Sequence, residues 1–121
     1  MTEKKTKACI QFIRGINESQ KPEIKIKRAR NGKEGFALFT FKQYNCLSDK
    51  KCEGINKMLL IDEEGELLSK DVSIHYKNDK HGYIKAIFKW KSQEEFKRFI
   101  RFAQNLKKSK ELASIKEIEG N

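Results

Sequence analysis

Asp71, Ser73 and His75 stand at alternate positions of one stretch, so an extended chain puts all three on the same face. By type they are the acid, nucleophile and base of acyl transfer. That chemistry needs a strained, exposed serine beside an oxyanion hole, and no GxSxG-like elbow occurs in the chain. The three therefore read as the polar side of an alternating strand. Cys46, Cys52, His75 and His81 have the side-chain types of a zinc site. Structural zinc knuckles pair their ligands about two to four residues apart. Here Cys46 and Cys52 are six apart, as are His75 and His81, which fits separate loop and strand residues better. Asp62-Glu63-Glu64-Gly65-Glu66 is acidic but lacks the alternating ligands of a calcium loop, and reads as a solvated hairpin turn. Neither a Walker-type loop nor GxGxxG is present. The chain is read as non-enzymatic and without a cofactor.

The charge balance says more. Among 121 residues, 27 Lys and Arg face 17 Asp and Glu, a net charge of +10. Such a surface favours acidic partners: nucleic acid, anionic lipid headgroups or acidic protein tails. Lys25, Lys27, Arg28, Arg30 and Lys33 surround one hairpin, with Phe36, Phe39 and Phe41 close by. That mixture occurs in sheets whose aromatic rings stack on bases. No RNP-type motif accompanies it, and phenylalanines in strands more often pack a core. A basic nucleic-acid-binding α+β domain is thus the alternative reading.

The elements that would position these groups follow from periodicity. Residues 83–91 alternate, with Ile84, Ala86, Phe88 and Trp90 on one face and Lys85, Lys89 and Lys91 with Ile87 on the other. The period then lengthens. Phe96, Phe99, Ile100, Ala103 and Leu106 recur at helical spacing, and Ser92 with Glu95 forms a capping box. The aromatic stripe is expected to lie across the apolar face of the sheet. Upstream, residues 8–14, 23–29, 34–41, 55–61 and 67–76 read as strands. Asn31-Gly32 marks a hairpin, both positions being suited to positive φ. The expected fold class is α+β: a twisted antiparallel sheet of about five or six strands with one main C-terminal amphipathic helix. Residues 1–7 read as a flexible arm, 8–108 as a single domain, and 109–121 as a charged tail despite spaced Leu112, Ile115 and Ile118.

Three cysteines (Cys9, Cys46 and Cys52) without CxxC imply a reducing compartment. Their spacing admits a Cys46–Cys52 bridge, although the reading is reduced thiols. No apolar run approaches the roughly 18–20 residues of a membrane span. The N-terminal stretch has neither an apolar signal core nor the Arg- and Ser-rich character of a transit peptide. The chain thus reads as soluble and made where it works, or else as a mature form.

Three ordered stretches carry a family resemblance. Ile10-Gln11-Phe12-Ile13-Arg14-Gly15-Ile16-Asn17-Glu18 leads through Pro22-Glu23-Ile24 to Arg28-Ala29-Arg30-Asn31-Gly32. Ile61-Asp62-Glu63-Glu64-Gly65-Glu66-Leu67 forms a middle hairpin, and Phe96-Lys97-Arg98-Phe99-Ile100-Arg101-Phe102 a helix. Together they resemble the photosystem II thirteen-kilodalton assembly protein family (PsbW-type, the photosystem II reaction centre "twenty-eight" protein). The resemblance implies a non-enzymatic assembly factor, peripheral on the thylakoid membrane at its cytoplasmic (cyanobacterium) or stromal (plastid) side. The implied partners are assembly intermediates containing the PsbB inner antenna and reaction-centre subunits, joined by strand addition at a sheet edge. Free, the protein is expected to be a monomer, and no nucleic acid is expected among its partners. Arg14, Arg28, Arg30, Arg98 and Arg101 match family positions; with Lys25, Lys27 and Lys57 they form the candidate partner-binding set. Arg14 is also a candidate brace for the turn at Asp62 and Glu64. Residues 55–61 are the expected docking edge. The high basic charge, the divergent stretch at 42–54 and the lysine-rich C-terminus depart from the family pattern, as a divergent form would.

Overall fold

A computed structural model describes residues 8–44, 55–77 and 82–118 of the chain. The strands are β1 (Cys9–Gln11), β2 (Glu23–Arg28), β3 (Gly35–Tyr44), β4 (Met58–Asp62), β5 (Gly65–Ser69), β6 (Asp71–Tyr76), β7 (Gly82–Trp90) and β8 (Ser114–Ile118). Among the described residues one helix, α1 (Gln93–Lys108), lies between β7 and β8. The strands divide into a three-stranded sheet, β1-β4-β5, and a five-stranded sheet, β6-β7-β3-β2-β8. The α+β class is as the sequence predicts. The strands are more numerous than expected and form two sheets, because the chain crosses between them at Ser69–Asp71 within what reads as one continuous strand.

Alternation along each strand decides what is buried. Ile24 and Ile26 of β2, Ala37, Phe39 and Phe41 of β3, and Ile84, Ala86, Phe88 and Trp90 of β7 share the inner face of the larger sheet. Met58 and Leu60 of the smaller sheet join the same core, with Ile10 and Phe12. Helix α1 closes it with Phe99, Phe102, Ala103 and Leu106. Phe99 is the hub: its ring meets Phe39 edge-on at 6.0 Å, and stacks on Phe88 and Trp90, both at 5.4 Å. The aromatic stripe therefore does cross the apolar sheet face. Ser92 caps α1, its Oγ accepting from the Glu95 N–H at 3.1 Å.

Several local expectations are corrected. Between β2 and β3, Gly32 alone takes a positive φ (+72°); Asn31 does not. The Asn31 carboxamide oxygen instead accepts from the N–H groups of Lys33 (2.8 Å) and Glu34 (3.3 Å), which builds a longer loop closed by Ala29 N–H to Glu34 C=O. Strand β4 is no docking edge, because β1 and β5 pair with it on either side. Residues 114–118 are not a tail. They form β8, parallel to β2, with Ile115 beside the fully buried Ile24. The turn that sends them there is a Schellman-type helix end. Lys110 adopts φ +58°, Lys110 N–H bonds to Lys107 C=O, and Glu111 N–H bonds to Leu106 C=O, both at 3.0 Å. The larger sheet is accordingly mixed rather than purely antiparallel.

Candidate docking surface

The candidate residues separate into clamps and free cations. Asp62 ends β4, and its side chain is wholly buried. Arg98 of α1 reaches it with both terminal nitrogens: Nη1 to Oδ2 at 2.9 Å and Nη2 to Oδ1 at 2.8 Å. Arg98 is itself only 16% exposed. A bidentate pair of this kind supplies the hydrogen bonds that make a buried carboxylate tolerable. Asp62 Oδ1 also accepts from Glu64 N–H at 3.0 Å, and Gly65, at φ +128°, completes the tight turn. One helical turn on, Arg101 donates to Glu64 through Nε (2.7 Å) and Nη2 (3.0 Å). That hydrogen bond, followed by the charges of Arg98 and Arg101, holds the Glu64 carboxyl below its ordinary pKa; the same hydrogen bond, followed by the charges of Glu64 and Asp62, raises the pKa of Arg101.

The acidic turn is thus the landing site of α1 on the smaller sheet. Arg98 and Arg101, both in the candidate partner-binding set, are occupied inside the fold. Arg14 touches the same hairpin one step further along, through Glu66 at 3.1 Å rather than Asp62 or Glu64. Arg28 pairs with Glu117 of β8 at 2.6 Å and lies 5.0 Å over the Phe96 ring. It therefore ties the last strand to the sheet and helix.

Of the remaining candidates, Lys25, Lys27 and Arg30 face solvent. Arg30 is exposed in the β2–β3 loop, and Lys57 is half-buried just before β4. Lys25 and Lys27 point away from the core, onto the outer face of the larger sheet. Register sets their neighbours: Lys25 lies between Leu38 and Lys116, and Lys27 beside Phe36, which is followed by Lys89. Lys85, Lys89 and Lys116 belong to this surface and were absent from the candidate set. The alternation of Lys85, Ile87 and Lys89 was the signal for two of them; Lys116 required β8. Glu23, at the border of this face, has its pKa lowered, first by the hydrogen bond from Lys42, an ion pair of 2.8 Å.

The groups with catalytic types do not assemble. Ser73 Oγ and His75 Nε2 are 3.0 Å apart on the exposed side of β6, and the imidazole stacks on Tyr83 at 4.8 Å. Asp71 lies on the far side of Ser73 from His75, four residues or roughly 13 Å along the strand, and its carboxylate approaches Lys89 at 3.9 Å. Among the described residues no carboxylate holds the imidazole as a base. Cys46, Cys52 and His81 fall outside the described residues, as does the question of a Cys46–Cys52 bridge. Among the described residues no cluster of three or more metal-ligating side chains occurs. Cys9 is a free thiol whose pKa is raised, chiefly by burial and then by the charge of Glu111. Phe39 and Phe41 are fully buried, which removes them as a stacking platform for bases. Among the described residues no helix is long and apolar enough to cross a membrane.

Comparison with known proteins accounts for the ordered stretches. The sequence pattern of the family described as "Psb28 protein" matches residues 10–114. A protein of Synechococcus sp. (strain CC9311) named Photosystem II reaction center Psb28 protein is 41% identical over 99 residues, 82% of this chain and 77% of its own. A Prochlorococcus marinus (strain MIT 9215) protein of the same name is 40% identical over 109 residues, covering 90% and 92%. One from Acaryochloris marina (strain MBIC 11017) is 44% identical over 95 residues, covering 78% and 85%. The match spans β1 to the start of β8 and takes in the Asp62–Arg98 clamp, and on that breadth the chain belongs to the Psb28 family.

Proposed function

We propose that the protein is a non-enzymatic assembly factor of photosystem II. It docks on early intermediates that contain the PsbB inner antenna and reaction-centre subunits, at the cytoplasmic or stromal side of the thylakoid membrane. Family membership supports a photosystem II-associated role, and the breadth of the match is the observation that carries this reading. The geometry favours binding over catalysis: a two-sheet body, a helix clamped by the Arg98–Asp62 pair, and lysines gathered on an open sheet face. The edges of the larger sheet are β6 and β8, and those of the smaller are β1 and β5. Strand addition would use one of these four, while Lys25, Lys27, Arg30 and Lys57 remain available for contacts.

The test is a tagged pull-down from solubilised photosynthetic membranes, with subunits identified by mass spectrometry. Recovery of PsbB and reaction-centre subunits without the oxygen-evolving proteins is expected. Recovery of nucleic acid or ribosomal proteins, lost steeply as salt rises, would instead favour the nucleic-acid reading.

A further inference from the structure

We propose that the outer face of the larger sheet binds an anionic lipid surface. Two register rows define it. One runs Lys116, Lys25, Leu38, Ile87 and Asp71 across the five strands. The other carries Lys27, Phe36 and Lys89. Leu38, Phe36 and Ile87 are half-buried, while Lys25, Lys27, Lys89 and Lys116 are exposed around them. Helix α1 and the smaller sheet pack on the opposite face, so among the described residues no element covers this one.

The charges are arranged against their own interest. Lys25 and Lys116 are direct register partners across β2 and β8, and like charges placed so are unfavourable. Among the described residues neither has a carboxylate within ion-pairing distance, nor does Lys27. Two acids share the face: Glu23, which is hydrogen-bonded to Lys42 and also feels the charges of Lys25 and Lys116, and Asp71, which is paired with Lys89; Glu117 pairs with Arg28 on the inner side. An external anion relieves the repulsion that the fold leaves in place.

The shape identifies the source of that anion. A five-stranded face spans roughly 19 Å between its outer strands, and the concavities on it, beside Lys27 and Phe36 and beside Asp71 and Ile87, both reach Lys89 near the end of β7. A peptide adding as a strand would use an edge instead. Phe36, Leu38 and Ile87 present no hydrogen-bonding side chain to read a base; the polar groups Thr40 and Lys85 stand one register row away. Lysines, as flexible point charges, suit a field of headgroups, with their stems laid over Phe36 and Leu38. A planar bilayer with anionic headgroups meets all these conditions.

The inference deepens the proposed docking role and rests on it for biological setting alone. Pure lipid vesicles contain no photosystem subunit, so failure here is distinguishable from failure to bind assembly intermediates. The experiment is co-sedimentation of the full chain with vesicles of uncharged lipid, alone or with about one-third phosphatidylglycerol. Each lysine at an anionic surface contributes about fivefold in affinity. The parent is expected to bind only the anionic vesicles. Lys25→Gln/Lys27→Gln/Lys116→Gln should bind roughly a hundredfold more weakly. Lys97→Gln/Lys107→Gln/Lys108→Gln removes the same charge from exposed positions of α1 and should stay within about twofold of the parent, because those lysines lie on the other side of the sheet. Absence of parental binding to anionic vesicles overturns the proposal. So does an equal loss in both variants, or tighter parental binding to a single-stranded RNA or an acidic peptide through the same three lysines.

Discussion

Arg98 and Asp62, separated by 36 positions in the chain, form a two-point contact that fixes α1 against the smaller sheet. The carboxylate has no solvent exposure, so its stability depends on the guanidinium facing it. Breaking one side of such a pair strands the other charge. Arg98→Ala or Asp62→Ala should destabilise the protein by about 3–5 kcal/mol, measured as a shift of the urea midpoint. Arg98→Lys keeps the charge but loses the fork, and should recover only part of the loss.

Phe99 joins the helix to the larger sheet through three rings. Phe99→Ala leaves a cavity between α1, β3 and β7 and should cost about 3–5 kcal/mol. Loss of the near-ultraviolet signal of Trp90, which stacks on Phe99, is expected to accompany the lower thermal midpoint. Phe99→Leu should cost less.

Two backbone positions give opposite signs. Gly35 has no room for a side chain: a Cβ would stand 2.5 Å from Lys27 C=O and 2.7 Å from the Trp90 ring. Gly35→Ala should therefore destabilise by about 1–3 kcal/mol through overpacking. Lys110 occupies the left-handed position of the helix end, which glycine takes without strain. Lys110→Gly should be neutral or stabilising by up to about 1 kcal/mol. Thermal melts of the two variants side by side test both.

Acid should loosen the clamp at the β4–β5 turn. The pKa of Glu64 is lowered in the folded protein, first by its hydrogen bond to Arg101. Its stabilising effect is thus fully present above the ordinary glutamate value of about 4.3 and is lost as pH falls through the lower folded value. Glu23, paired with Lys42, acts in the same direction. The urea midpoint should fall below about pH 4, and Glu64→Gln should flatten that fall while losing midpoint at neutral pH.

The readable parts of this sequence are those where one period runs long enough to exceed noise. The alternation of β7 and the stripe of α1 place the core residues and the contact between them, because Phe88, Trp90 and Phe99 are large and regularly spaced. Arg98 and Arg101 carry the same helical spacing as an exposed basic face. Only the tertiary position of the Asp62–Glu64 turn reveals that Arg98 is drawn into a buried pair with Asp62 and that the exposed Arg101 is tied to Glu64. Strand β8 is hidden for a different reason: its five residues present only Ile115 toward the buried Ile24, and its parallel pairing joins Lys116 to Lys25 across most of the chain. The open lysine face was accordingly half legible. Lys25, Lys27, Lys85 and Lys89 show in local alternation, whereas their convergence depends on the order β7-β3-β2-β8.

The most direct test of the assembly role is the distribution of the native protein among membrane complexes separated by size, read by immunoblot alongside PsbB and the oxygen-evolving subunits. Co-migration with photosystem II intermediates that lack the oxygen-evolving proteins is expected, with depletion from the finished complex. Co-migration with the finished complex, or with ribosomes and no photosystem II subunit, would contradict that role.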